Sequence, residues 1–196
     1  MKRRTALGLL LAIGCGLPAA AQTGHRSGSG APEEIVPRYL LQDPNGRAVS
    51  SEDFRGRFQL IAFGYTACPD VCPTSLVEMG AVLDGLGARA DKVQALFITV
   101  DPERDTGAVL KNYTSFFNPR IVGLTGTPLL VRRAADNFKV RYEKVRDPAD
   151  TSGRYAVDHS AGLYLIGPDG RFLKRFPYAT PPATLVETLV QFLDGR

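Results

Sequence analysis

An α/β fold built on one central sheet is predicted by three features of this 196-residue chain. Near-continuous apolar runs over 58–63 and 93–100 read as strands buried on both faces, the pattern of parallel pairing. Each is followed by apolar residues at helical spacing, over 73–86 and 106–117. Beyond residue 160 the pattern changes to two short strands about a Pro168-Asp169-Gly170 turn, then one last helix.

Taken in order, Arg38-Tyr39-Leu40-Leu41-Gln42 and Arg47-Ala48-Val49 flank Asp43-Pro44-Asn45-Gly46, and Asn-Gly between two apolar runs predicts a β-hairpin. Ser50 or Ser51 caps a short turn through Phe54 that Gly56 ends. The strand over 58–63 leads through a loop into a helix that starts at or just before Pro73. Proline suits a first helical turn and biases the residue before it, Cys72, away from helical dihedrals. Leu76, Met79, Val82, Leu83 and Leu86 form the apolar face of this helix, and Met79 is read as core rather than as a ligand. Asp101-Pro102 ends the strand over 93–100, a helix spans 106–117 and a short strand 121–124. Thr127-Pro128 opens a helix to about Val140. A polar stretch over 146–154 loops out, strands follow over 162–166 and 171–176, and the last helix covers 181–193. The layout is thioredoxin-like, a central mixed sheet flanked by helices with the hairpin as an N-terminal extension, and residues 35–196 suffice for one domain with a core.

The N-terminus reads as a targeting segment. Lys2, Arg3 and Arg4 precede an apolar stretch, and Ala19-Ala20-Ala21 makes a cleavage site, so residues 1–21 are expected to be a signal peptide or N-terminal anchor. Arg3-Arg4 faintly resembles a twin-arginine signal, and Leu11-Ala12-Ile13-Gly14-Cys15 a poor lipobox. Residues 22–34 are a flexible tether in which His25 is read as inert. Loss of three basic and no acidic side chains with the leader takes the net charge from +4 to +1, so nothing basic remains to suggest nucleic acid. The protein is expected to be exported, periplasmic and associated with a membrane, if at all, through its N-terminus.

Of three cysteines, Cys15 leaves with the leader, so Cys68 and Cys72 are the thiols of an exported domain. They lie in Gly64-Tyr65-Thr66-Ala67-Cys68-Pro69-Asp70-Val71-Cys72-Pro73, where a strand hands over to a helix. Unpaired amides at a helix start favour thiolate, which either attacks a disulfide or holds a soft metal. Across one helical turn the two Cα atoms are about 5–6 Å apart, inside the roughly 4.4–6.8 Å window for a disulfide. The spacing is one residue wider than Cys-x-x-Cys, which also lets both sulfurs face a common centre. Soft Cu(I) accepts two or three soft ligands, and an added imidazole also suits Cu(II). His159, just before the strand over 162–166, is the histidine that a thioredoxin-type sheet brings beside the cysteine helix.

The runs 64–73, Val-Asp-Pro-Glu-Arg-Asp-Thr (100–106), Asp-His-Ser (158–160), Val122-Gly123-Leu124-Thr125-Gly126 and Leu163 to Gly170 resemble, in order, those of the Sco/SenC family. The resemblance covers roughly residues 35–194. It implies a thioredoxin fold that binds one copper ion, Cu(I) or Cu(II), through Cys68, Cys72 and His159. It also implies a role in assembling the copper centre of cytochrome c oxidase. Asp101, Arg104 and Asp105 match a family motif without being ligands, and Asp158 is expected to orient the imidazole. The partners implied are the copper-bearing oxidase subunit, a copper donor and a thiol reductase.

Two functions stay open on the residues. One is a copper metallochaperone working by ligand exchange. The other is a thiol–disulfide oxidoreductase in which Cys68 attacks and Cys72 resolves, acting on the oxidase cysteines or on another exported protein. A peroxidase reading is weaker, for Thr66 stands two residues before Cys68 rather than three. A purely structural bridge over so short a loop constrains the unfolded chain little.

Overall fold

The computed structural model describes residues 34–146, 148 and 151–195; the expected leader, nearly all of the expected tether and His25 lie outside these. Among the described residues no helix is long and apolar enough to cross a membrane.

The chain opens with the expected hairpin, β1 (Leu40–Gln42) antiparallel to β2 (Ala48–Ser50). Its turn is held by Asp43, whose Oδ1 accepts the Asn45 and Arg47 amides at 2.9 Å each, while Gly46 takes the positive φ of 80° that the turn requires. A 3-10 turn over Ser51–Phe54 follows, its start held by the Asp53 carboxylate accepting the Ser50 amide at 2.6 Å.

The central sheet has the order β5-β4-β3-β8-β9. β3 (Phe58–Gly64), β4 (Val93–Thr99) and β5 (Ile121–Leu124) are parallel; β8 (Leu163–Ile166) pairs antiparallel with β3, and β9 (Phe172–Phe176) antiparallel with β8 at the sheet edge. Parallel neighbours need crossovers, and α1 (Val71–Leu86) and α2 (Gly107–Phe117) supply them. The fold is thioredoxin-like, with a mixed sheet as expected. Leu76, Met79, Val82, Leu83 and Leu86 are all buried, and α1 packs on α2 and on α4 (Pro182–Leu193).

Two helix boundaries and one strand pair differ from expectation. Helix α1 begins at Val71, so Cys72 lies inside its first turn. The Thr74 amide and hydroxyl both donate to the Asp70 carbonyl, at 3.3 and 3.0 Å, and this closure outweighs the bias that Pro73 puts on Cys72. Helix α3 (Pro128–Asn137) stops short of Val140. Lys139 takes a φ of 59° there, with Val140 donating to Ala135 and Lys139 to Asp136, a Schellman closure made without glycine. Two strands that the sequence did not announce, β6 (Tyr142–Val145) and β7 (Ala156–His159), pair antiparallel on either side of the stretch expected to loop out.

Candidate metal centre

The end of β3 and the start of α1 form one half of the site. Cys72 is buried and Cys68 half-buried, and both are free thiols. The Tyr65 amide donates to the Cys72 sulfur at 3.4 Å. Gly64 makes room for that sulfur, since a Cβ there would stand 2.7 Å from Cys72 Sγ and 2.8 Å from the Phe97 ring. Gly64→Ala is therefore expected to displace Cys72 and weaken metal binding by about tenfold or more. Competition with a chelating indicator checks this, and an unchanged affinity would mean that the sulfur sits free of the strand.

The other half is β7, which ends on His159, paired in register with Tyr142. The imidazole Nδ1 lies 3.1 Å from the Ser160 carbonyl oxygen. A carbonyl only accepts, so the proton sits on Nδ1 and the Nε2 lone pair faces the Cys72 sulfur, 3.3 Å away. The imidazole and the Tyr65 ring meet edge to face, their centroids 5.9 Å apart. One ligand atom each from Cys68, Cys72 and His159 lies within 4.8 Å of the others, the cluster of this kind among the described residues. His159 stands 87 residues from Cys72 in the sequence, and the fold brings it to the cysteine pair.

Two expectations about the site are corrected. Burial pushes the Cys72 thiol well above the usual thiol range, outweighing the Tyr65 amide that favours thiolate. The free site thus holds Cys72 as a thiol that donates to the imidazole, and a metal must displace its proton. Asp158 is exposed and does not orient the ring; the Ser160 carbonyl does. Burial also lowers the His159 pKa, which keeps the imidazole neutral and its Nε2 free to ligate. Two sulfurs and one imidazole nitrogen make a soft donor set that suits copper.

The motif around residue 100 holds the two halves together. Asp105, wholly buried, accepts the Thr66 amide at 3.1 Å, the Thr66 hydroxyl at 2.6 Å and the Thr99 hydroxyl at 2.7 Å. It thereby ties the cysteine loop to the end of β4. Asp101, also wholly buried, accepts from Arg104 Nε and from the Tyr155 hydroxyl, the latter at 2.9 Å. The Arg104 guanidinium lies 3.8 Å over the Tyr155 ring and 5.5 Å over that of Tyr65, and donates to the Tyr155 carbonyl at 3.0 Å. Arg104 therefore clamps the hairpin that carries His159 against the loop that carries the cysteines. Tyr65 and Tyr155 were not singled out in the sequence. A Tyr-x-x-Val and a Tyr-x-Val on either side of the polar stretch (142–145 and 155–157) are the signal that points to that hairpin.

The sequence model of the SCO1/SenC family matches residues 27–194. The chain is 40% identical over 158 residues to an SCO2-like protein of Rickettsia felis, covering 81% of this chain and 75% of that one. Its fold is similar to Bradyrhizobium japonicum ScoI solved with copper bound, with a TM-score of 0.74 and 44% identity over 81% of this chain and 99% of that one. It is also similar to BsSco, a member of the Sco family of cytochrome c oxidase assembly proteins in which a disulfide switch was identified. There the TM-score is 0.61 and the identity 26%, over 81% of this chain and 92% of that one.

Proposed function

The chain belongs to the SCO1/SenC family, and from that premise we propose that it is a copper metallochaperone that supports copper-centre assembly of a respiratory cytochrome c oxidase. Copper is its cargo, one ion per chain, held by Cys68, Cys72 and His159. The observation that carries this reading is the gathering of two thiol sulfurs and a neutral imidazole nitrogen within 4.8 Å of one another. A plain dithiol reductant has no need of the third ligand. Cys68, the more exposed of the two cysteines, is the side from which an incoming thiolate enters, replacing the ligands one at a time. The partners this requires are a copper donor, a reductase that keeps the pair as thiols, and the copper-bearing subunit of the oxidase. The sequence of residues 1–21 supports export to the periplasm, with attachment at the outer face of the inner membrane through the N-terminus.

A second reading is favoured by the two free thiols standing side by side. The same reduced pair can reduce a disulfide, with Cys68 attacking and Cys72 resolving the mixed disulfide. The deciding experiment is the copper content of the reduced protein beside Cys68→Ala and Cys72→Ala. One firmly held copper per chain, lost in both variants, is the expected result. A reduced protein that retains no copper against a chelator, yet exchanges its disulfide readily, would leave the oxidoreductase reading in its place.

A further inference from the structure

Residues 36–42 run alongside α3 in the opposite direction. At one end the Val36 amide donates to the Asn137 carbonyl at 3.0 Å, and the Asn137 side-chain amide to the Arg38 carbonyl at 2.7 Å. At the other, Gln42 and Thr125, just ahead of α3, exchange backbone bonds at 2.7 and 3.0 Å. The segment alternates: Tyr39 and Leu41 are buried, while Val36, Arg38 and Leu40 point outward. The stripe of α3 that ends on Asn137 carries Leu129 and Arg133, four residues apart and both exposed.

Five side chains thus share one surface. Val36, Leu40 and Leu129 are 44%, 51% and 70% exposed, a group of large apolar side chains where single ones are ordinary. Arg38 and Arg133 lie among them, and neither forms an ion pair with a described residue. Of the carboxylates nearby, Glu52 is held by Arg55 at 2.7 and 3.2 Å, Asp136 lies toward Tyr142 and Arg132, and Glu34 stands where the chain enters. Aliphatic groups interleaved with arginines suit the boundary of an anionic lipid layer, where the first enter the acyl edge and the second meet phosphates. The course of the chain selects the same occupant. The residues before Glu34 join the domain at this face, so an N-terminus attached to a membrane brings this face to it.

We propose that the face made by residues 36–40 and α3 docks on an anionic phospholipid surface. The proposal rests on the N-terminal attachment given above. Its consequence concerns the copper site. The Arg132 guanidinium of α3 lies 3.7 Å over the Tyr142 ring, and Tyr142 is the register partner of His159. A docked α3 therefore fixes how the site is turned relative to the membrane that holds a respiratory oxidase.

The sequence contains no tryptophan, so a single one reports on one place. Leu129→Trp puts it on this face of the full chain, and Phe116→Trp puts it at an exposed position of α2 outside the face. On vesicles of phosphatidylcholine and phosphatidylglycerol, the Leu129→Trp emission is expected to move to shorter wavelength and to be quenched by brominated acyl chains. The Phe116→Trp emission is expected to stay unmoved. Adding Arg38→Glu and Arg133→Glu to Leu129→Trp is expected to abolish the shift, although the chain still sediments with the vesicles through its N-terminus. An unmoved Leu129→Trp emission in a chain that sediments overturns the proposal and leaves the attachment standing. Equal shifts in both reporters overturn it too, as adsorption without orientation. So do a shift that survives the charge reversal and one that needs no lipid and grows with protein concentration, the mark of a second copy on the face. A full chain that sediments neither with these vesicles nor with phosphatidylcholine alone ends the attachment reading, and this proposal with it.

Discussion

His159→Ala is expected to lower copper affinity by at least about 100-fold, the upper end of what even an outer-sphere partner contributes. Thiol–disulfide exchange by Cys68 and Cys72 is expected to survive largely intact in the same protein. The two effects part because the imidazole enters them differently. For the metal it is the third ligand, its Nε2 aimed at the Cys72 sulfur by the bond from Nδ1–H to the Ser160 carbonyl at 3.1 Å. Exchange requires only an accessible sulfur and a resolving partner, and Cys68 and Cys72 supply both without the ring. The variant loses a ring edge against Tyr65 but leaves the buried Asp101–Arg104–Tyr155 clamp in place, so β7 stays in position. Copper stoichiometry after chelator challenge and the rate of reduction of a small disulfide, measured on one preparation, check both halves. Undiminished copper binding would remove His159 from the site. Loss of exchange and binding together would make the histidine a general part of thiol chemistry and not a metal ligand.

The sheet and α1 were legible in the sequence because their burial is extreme. Every position of β3 after Phe58 is buried, and such a run admits few other readings. The ligand trio was legible for a different reason: few residue types bind soft metals, and a domain with two thiols and one histidine leaves little choice. Where expectation failed, local signal was weak or misleading. Strand β6 has an exposed face along most of its length, with no alternation to mark it, and exists because β7 pairs with it. Helix α3 ends on a lysine at positive φ, where the usual glycine would have announced the stop. The tether on the imidazole is a backbone carbonyl, which has no residue identity to read, so the neighbouring carboxylate of Asp158 drew the inference instead. The raised Cys72 thiol likewise reflects burial, which only the packed fold reveals.

Asp105→Ala is expected to destabilise the protein by about 3–5 kcal/mol, since it strands three donors at about 1–3 kcal/mol each, part of which water recovers. The reasoning starts from what the carboxylate satisfies. It is wholly buried and accepts from one amide and two hydroxyls, all three on the segments that meet beside the cysteines. Alanine leaves the Thr66 amide and the Thr66 and Thr99 hydroxyls without their acceptor, and each must find water or remain unpaired. Asp105→Asn keeps one oxygen able to accept and is expected to lose less, about 1–2 kcal/mol. The site follows the loop, because Thr66 stands two residues from Cys68 and Tyr65 next to it holds both the Cys72 sulfur and the edge of the His159 ring. Copper affinity of the folded fraction is therefore expected to fall about tenfold in Asp105→Ala, although the residue is no ligand. Denaturant unfolding of the metal-free protein and chelator competition, run on both variants, separate the two consequences. A midpoint within about 0.5 kcal/mol of the wild type would show that water replaces the carboxylate at no cost. Full stability lost with affinity kept would confine Asp105 to the fold, leaving the loop's geometry to Tyr65 and Arg104 alone.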